Sequence, residues 1–346
     1  MTGRMFRIAA MACMALLAHE VSAQAADVVK IGVLNTSGDI AMHLAIEKGY
    51  FKEEGIEPEL ILFDASAKMI PFLGNGQLDV GGGATAVGLF NAIDRKVGLR
   101  IVGEKGRTEP GFVYQSFMIR KALIDSGRFK TWSDLKGLKF AQGGAGVGPL
   151  ALLSEAAEKG GIKYADIEKV FMSFPQQVAA LKSGAIDGSV MNEPFKTIVA
   201  EEGLAVEFAP TEAIRSNFEL SLLFFGEQFR SERKDVARRF MRAFLKGNRE
   251  YLNAIENGRW RTDGGADEVI SIFAKKLNVP EGLARKITPQ AADPNGMPNI
   301  DSIRRDLAFF KSEGDVTNPA IKVEDCIDLS FAEAAAAELG PYTKRK

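Results

Sequence analysis

The sequence predicts an α/β fold of two similar lobes, each built around a largely parallel sheet. Two stretches share one pattern of apolar, glycine and aspartate residues at a constant spacing of 108 residues: Leu73, Gly76, Leu78 and Asp79, and Leu181, Gly184, Ile186 and Asp187. The same spacing pairs residues 31–34 with 139–142 and 60–63 with 168–171, and all four segments are typical of buried strands. We therefore expect two β-loop-α-β-loop-α-β units with right-handed crossovers, whose loops at the carboxyl ends of the strands face each other across a cleft.

Length and composition agree with two domains. The chain has 346 residues, 46% of them hydrophobic and 26% charged, and its formal net charge of -1 gives no basic excess for nucleic acid. We expect residues 26–117 and 221–346 to form domain 1 and residues 118–220 to form domain 2. Apolar strands at 117–120 and 217–224 are interpreted as the two crossings, which make a two-strand hinge. Amphipathic segments at 231–257, 267–277, 301–313 and 325–339 predict a helical C-terminal tail that packs on domain 1.

The first 25 residues predict a secretory signal peptide. Arg4 and Arg7 precede a short apolar run at residues 8–18, and Ala23-Gln24-Ala25 follows as a small-x-small cleavage site. The run is shorter than the roughly 20 residues that a membrane span needs. We expect cleavage near Ala25 and a protein exported to the periplasm.

Few residues could carry metal or nucleophilic chemistry. After cleavage, Cys326 is the only cysteine and His43 the only histidine, so a His/Cys metal site and an internal disulfide are both excluded. No Gly-x-Ser-x-Gly motif supports a hydrolase. The glycines at 144, 146 and 148 lack the spacing of a dinucleotide site. The sequence therefore predicts neither an enzyme nor a cofactor.

Polar and glycine residues at the predicted strand ends are the candidate ligand contacts. Those of the first domain are Thr36, Ser37, Gly38, Asp64, Ser66, Gly83, Thr85 and Arg107. Those of the second domain are Gly144, Gly146, Val147, Asn192 and Glu193. Glycine lets backbone approach a ligand closely, and helix amino ends offer N–H donors with partial positive charge. Whether His43, Lys68, Phe174 and Phe195 line the cleft or the core is left open.

Four motifs in this order resemble a known family: Ala45-Ile46-Glu47-Lys48-Gly49-Tyr50-Phe51, Gly76-Gln77-Leu78-Asp79-Val80-Gly81, Trp132-Ser133-Asp134-Leu135-Lys136-Gly137-Leu138 and Asn192-Glu193-Pro194-Phe195. The sequence is similar to the periplasmic solute-binding proteins of the nitrate/sulfonate/taurine type, which feed ABC importers and whose wider superfamily includes thiamine-pyrimidine binders. The resemblance runs from about residue 28 to the carboxyl end. It implies a two-lobed periplasmic binding protein fold that closes on a ligand in the cleft.

The favoured function is that of a monomeric receptor that captures a small solute and presents it to an ABC permease in the inner membrane. The alternatives are a pyrimidine-synthase-like enzyme of the same fold, and a partner for a membrane-bound sensor kinase. Arg107 and the helix amino ends favour an organic anion such as a sulfonate or carboxylate. Phe174, Phe195 and Glu193 would instead favour a heteroaromatic, pyrimidine-type ligand.

Overall fold

The computed structural model describes residues 25–345. The predicted signal peptide therefore lies, apart from Ala25, outside the described residues. Within residues 25–345, no helix combines the length and apolar character needed to cross a membrane.

The described strands are β1 Asp27–Val33, β2 Ile56–Leu62, β3 Val80–Gly83, β4 Arg100–Arg107, β5 Gln115–Arg120, β6 Lys139–Gln142, β7 Glu168–Phe171, β8 Gly188–Asn192, β9 Ala205–Pro210, β10 Glu219–Phe225, β11 Ile255–Glu256 and β12 Arg259–Trp260. The first helices are α1 Ile40–Glu47, α2 Tyr50–Glu53, α3 Ile70–Gly74, α4 Val87–Asp94, α5 Lys121–Asp125, α6 Pro149–Lys159, α7 Phe174–Ser183 and α8 Phe195–Glu201. The C-terminal helices are α9 Glu227–Ser231, α10 Lys234–Asn253, α11 Asp267–Leu277, α12 Glu281–Ala284, α13 Ile300–Ser312 and α14 Ser330–Leu339.

The two lobes contain sheets with the same plan. The first sheet has the order β2-β1-β3-β10-β4 and the second the order β7-β6-β8-β5-β9. In each sheet the first three strands are parallel, and the fourth pairs antiparallel with both of its neighbours. The strands matched at a spacing of 108 residues take equivalent places in the two sheets, so the predicted fold class is confirmed.

The strands expected to form the crossings do not connect the lobes. β5, which contains residues 117–120, lies entirely in the second sheet, and β10, which contains residues 219–223, lies entirely in the first. Each pairs with two neighbouring strands of its own sheet, so neither strand spans the two sheets. The segments that pass between the sheets are residues 108–114 and 211–218. The division into domains at 117/118 and 220/221 remains a prediction.

The long helix α10 attaches the C-terminal tail to the first lobe. Its buried residues recur at helical spacing, and Phe240 and Phe244 join Val29 and Ile31 of β1 in one core. At Gly247 the helix passes so close to α1 that a Cβ atom would lie 2.3 Å from the carbonyl oxygen of Ala41. This helix of the tail therefore packs on the first lobe, as predicted, whereas α13 also contacts the second lobe through the ion pair between Arg305 and Glu155 at 2.9 Å.

Candidate functional site

A cavity lies between the two lobes, where the carboxyl ends of the parallel strands meet. It encloses about 670 Å³ of space not filled by protein atoms, part of it open to solvent. The first lobe contributes residues from the loops after β1, β2 and β3, and the second lobe contributes residues from the ends of β6 and β8. The same strand ends were predicted to carry the site, because loops at a sheet's carboxyl edge face outward.

The charged residue deepest in the cavity wall is Lys105 of β4. Its side chain is 3% exposed and forms an ion pair with the fully buried Asp39. The other carboxylate oxygen of Asp39 accepts hydrogen bonds from the backbone N–H groups of Leu34 and Thr36, both 3.2 Å long. A Cβ at Gly82 would lie 2.8 Å from the Lys105 amine, so glycine makes room for this side chain. The lysine charge is thus neutralised within the first lobe.

Lys105 was not among the predicted contact residues; it lies within β4, which extends to Arg107. Three glutamines were also missed, and all three line the cavity: Gln115, Gln142 and Gln290. Gln115 is the first residue of β5, Gln142 is the last residue of β6, and Gln290 lies in the segment before α13. Each is buried.

Each glutamine has at least one buried amide atom without a hydrogen-bond partner among the described residues. Gln115 donates to the Asn192 side-chain oxygen at 2.6 Å, and its own Oε1 has no partner. Gln290 donates to the Lys105 carbonyl at 2.8 Å, and its Oε1 also has none. The Nε2 of Gln142 is likewise unpartnered. Since buried polar atoms are nearly always bonded, these three atoms mark the part of the cavity that is suited to a polar ligand.

Seven of the predicted contact residues line the cavity: Thr36, Gly38, Asp64, Ser66, Gly83, Val147 and Asn192. The other six predicted residues lie outside the lining: Ser37, Thr85, Arg107, Gly144, Gly146 and Glu193. Most of these six make contacts that hold one lobe against the other. The strand-end pattern therefore located the cleft without distinguishing residues that line the cavity from residues that join the lobes.

Backbone hydrogen bonds join the loop after β3 to the loop after β6. The Val87 N–H donates to the Gly146 carbonyl at 2.8 Å, and the Gly148 N–H donates to the Thr85 carbonyl at 3.0 Å. These bonds occupy N–H groups near the starts of α4 and α6. Gly144 packs against the loop after β2 of the other lobe, where a Cβ at this position would lie 3.1 Å from the Cβ of Ala65.

A second contact between the lobes is centred on Glu193. Its carbonyl accepts hydrogen bonds from Ser37, at 2.8 Å from the hydroxyl and 3.3 Å from the backbone N–H. Its carboxylate accepts the N–H of Thr197 at 3.1 Å and that of Thr288 at 3.2 Å. Burial raises the pKa of this carboxyl, and the nearby Lys196 opposes that rise. The Glu193 side chain, which was expected to contact the ligand, therefore forms hydrogen bonds within the protein.

Arg107, the predicted anion-binding cation, is occupied by carboxylates outside the cavity lining. It donates to Glu104 at 2.8 Å and to Glu109 at 2.7 Å, and it lies 4.0 Å from Asp293. Arg107 and Lys105 are on the same strand, and it is Lys105 that reaches the cavity. The cation expected to recognise an anion is therefore not available there.

The four residues left open by the sequence take different positions. His43 is buried in α1, burial lowers its pKa, and neither ring nitrogen has a hydrogen-bond partner among the described residues. Lys68 is exposed and pairs with Asp64 near the cavity mouth. Phe174 lines the cavity and stacks on Phe195, with ring centroids 5.3 Å apart and planes 15° from parallel. One of the four, Phe174, therefore forms a flat apolar wall.

The fold is shared with solved solute-binding proteins at low sequence identity. The chain is similar to the alkanesulfonate-binding protein SsuA from Xanthomonas axonopodis pv. citri bound to MOPS, with 16% identity, a TM-score of 0.68, and coverage of 87% of this chain and 98% of that chain. It is similar to the periplasmic nitrate-binding protein NrtA from Synechocystis PCC 6803, with 13% identity, a TM-score of 0.72, and coverage of 91% and 89%. The desulfurization enzyme DSZB is also similar, with 16% identity, a TM-score of 0.62, and coverage of 91% and 100%. At these identities the likeness concerns the fold alone.

A comparison with curated protein sequences found no significant match. A family described as NMT1/THI5 like matches residues 38–255, which is more than half of the chain. This match and the shared fold confirm the resemblance predicted from the four motifs. The chain belongs to the NMT1/THI5 like family.

Proposed function

We propose that this protein is the solute-binding component of an ABC importer, which captures a small organic molecule between its lobes in the periplasm. The observation that carries the proposal is the cavity itself. Both lobes supply its walls, which combine apolar side chains such as Leu34, Val147 and Phe174 with amides, hydroxyls and glycines. Such a site can bind a polar solute and release it when the lobes separate.

The contacts between the lobes support a closing mechanism. The bonds from Ser37 to Glu193 and from Val87 to Gly146 join residues on opposite sides of the cavity. They can form only when the lobes come together. A solute that touches both lobes adds contacts that the open form lacks, and this difference shifts the population toward closure. The closed form would then be presented to a permease in the inner membrane.

The residues available for chemistry support binding over catalysis. Cys326 is the one cysteine among the described residues; it is buried away from the cavity lining, and burial raises its pKa to about 12. His43 is also outside the lining. Since DSZB shares the fold, turnover must still be measured directly.

The sequence-based expectation of an organic anion rested on Arg107 and on helix amino ends. Arg107 is paired outside the lining, and N–H groups near the starts of α4 and α6 bond to the opposite lobe. We therefore propose a small organic solute as the ligand and assign it no charge from these residues.

Small-angle X-ray scattering on residues 26–346 tests the proposal. The protein is unfolded and refolded to remove retained molecules, then mixed with a desalted small-molecule extract of bacterial cells. We expect the radius of gyration to fall toward about 20 Å, the value for a compact chain of this length. Native mass spectrometry should detect one bound compound whose mass does not change with time. Unchanged scattering with no bound compound, or steady conversion of that compound, would contradict the proposal.

A further inference from the structure

Three neutral glutamine side chains line the cavity and are not fully hydrogen-bonded within the described residues. Gln115, Gln142 and Gln290 are 3%, 1% and 1% exposed, and each has at least one buried amide atom with no hydrogen-bond partner among those residues. An unpaired buried amide atom is unfavourable unless something bonds to it. Three such atoms around one cavity therefore point to a ligand that supplies the missing partners.

The role of the Gln290 amide follows from its neighbour. Its Nε2 donates to the carbonyl of Lys105, and a carbonyl can only accept, so Oε1 is the amide atom left without a partner. Gly106 makes this position possible, since a Cβ there would lie 2.3 Å from the amide carbon of Gln290. The cavity thus presents a fixed acceptor. The free Nε2 of Gln142 presents a donor from the opposite lobe.

The formal charges around the cavity cancel in pairs. Lys105 is paired with Asp39, and Asp64 at the mouth is paired with Lys68. Removing an anion from water is strongly unfavourable unless a cation or several donors compensate it. The lining supplies no unpaired cation among the described residues, whereas an uncharged ligand needs none.

We infer that the solute captured in the proposed function is uncharged and contains an amide or urea group, an inference that rests on that function. Such a group combines N–H donors for the Gln290 and Gln115 oxygens with a carbonyl acceptor for the Gln142 amide nitrogen. The ring of Phe174 provides a flat apolar surface for the remainder of the molecule.

Thermal denaturation with charge-separated fractions tests this inference. The cell extract is divided by anion and cation exchange into anionic, cationic and neutral fractions, and each is added at equal dilution to solute-free protein. We expect the neutral fraction alone to raise the melting temperature. Mass spectrometry of the retained compound should show an N–H group next to a carbonyl.

A pair of variants separates ligand contacts from structural amides. Gln142 lacks a partner for Nε2, whereas the buried Gln177 donates to the Met172 carbonyl at 2.9 Å and accepts the Ser189 hydroxyl at 2.5 Å. Gln142→Leu should leave the melting temperature of the solute-free protein within about 2 °C, and should weaken binding of the neutral compound at least roughly tenfold. Gln177→Leu should lower that temperature by roughly 4–8 °C, because it leaves two buried groups unpaired.

Each outcome decides between the two proposals. A response to the anionic or cationic fraction would overturn the neutral-ligand inference but leave solute capture intact. A neutral compound without an amide or urea group would do the same, as would unchanged affinity in Gln142→Leu. No response to any fraction would overturn both this inference and the proposed function.

Discussion

The buried ion pair between Arg215 and Asp306 allows a stability change to be calculated as a function of pH. Arg215 lies in the segment that returns from the second lobe, and Asp306 lies on α13. Their side chains are 1% and 0% exposed and are joined at 2.5 Å. The other carboxylate oxygen of Asp306 accepts the Thr85 hydroxyl at 2.6 Å. The perturbation is Arg215→Met, which removes the cation but keeps much of the buried volume.

Burial raises the pKa of Asp306 from 3.8 to about 6, despite the opposing charge of Arg215. Because folding raises this pKa, protonated Asp306 stabilises the folded state. This stabilisation is fully present below pH 3.8 and is lost as the pH rises to about 6. Without the positive charge of Arg215, which lowers this pKa, we expect the pKa of Asp306 to rise further above 6. Each additional unit then destabilises the fold by about 1.4 kcal/mol. Because the variant also loses the ion pair between Arg215 and Glu155 at both pH values, it should be less stable than the natural chain at pH 5.5 and less stable again at pH 8, by about 1.4 kcal/mol for each unit of the rise in pKa.

Urea denaturation followed by circular dichroism at the two pH values measures this difference. Arg215→Met combined with Asp306→Asn is the control, because asparagine can still accept the Thr85 hydroxyl but carries no charge. The double variant should lose the pH dependence. An equal loss of stability at pH 5.5 and pH 8, or pH dependence that survives in the double variant, would refute the reasoning.

Three further predictions concern the buried acid near Arg107 and the contacts between the lobes. Burial and the charge of a neighbouring carboxylate raise the pKa of Glu219 well above its usual value, so Glu219→Gln should raise the urea midpoint at pH 8 and leave it unchanged near pH 4. Gly146→Val should weaken the solute-induced compaction measured by scattering, because φ at Gly146 is +62° and a Cβ there would lie 3.1 Å from a side chain of the other lobe. The control is Gly161→Val, which should leave compaction unchanged, because φ is a similar +67° but no atom lies within 4 Å of a Cβ there. Glu193→Ala should weaken solute affinity about tenfold by removing a buried lobe contact, whereas Glu201→Ala removes an exposed ion pair and should change affinity less than twofold. Equal loss of compaction in Gly146→Val and Gly161→Val would contradict the first of these arguments. Equal loss of affinity in Glu193→Ala and Glu201→Ala would contradict the second.

The repeated strand pattern is local information, and it was sufficient for the fold. Buried strands and helix-ending glycines depend on residues close in sequence, so the spacing of 108 residues correctly matched β1, β2 and β3 with β6, β7 and β8. The same pattern located the cleft, because parallel strands place their carboxyl ends at one edge. It could not show where the chain crosses between lobes, since β5 and β10 look alike in sequence and differ only in the sheet that each one joins.

The chemistry of the site was decided by contacts between residues far apart in sequence. Lys105 and Arg107 stand two positions apart on β4, yet one lies beside Asp39 at the cavity and the other is held by Glu104 and Glu109. Gln290 bonds to the Lys105 carbonyl across 185 residues. The sequence alone determined two α/β lobes with a cleft between them. Only the tertiary structure decided which polar groups are paired within the protein and which are left without a partner, because hydrogen bonds and ion pairs form between groups that are close in space.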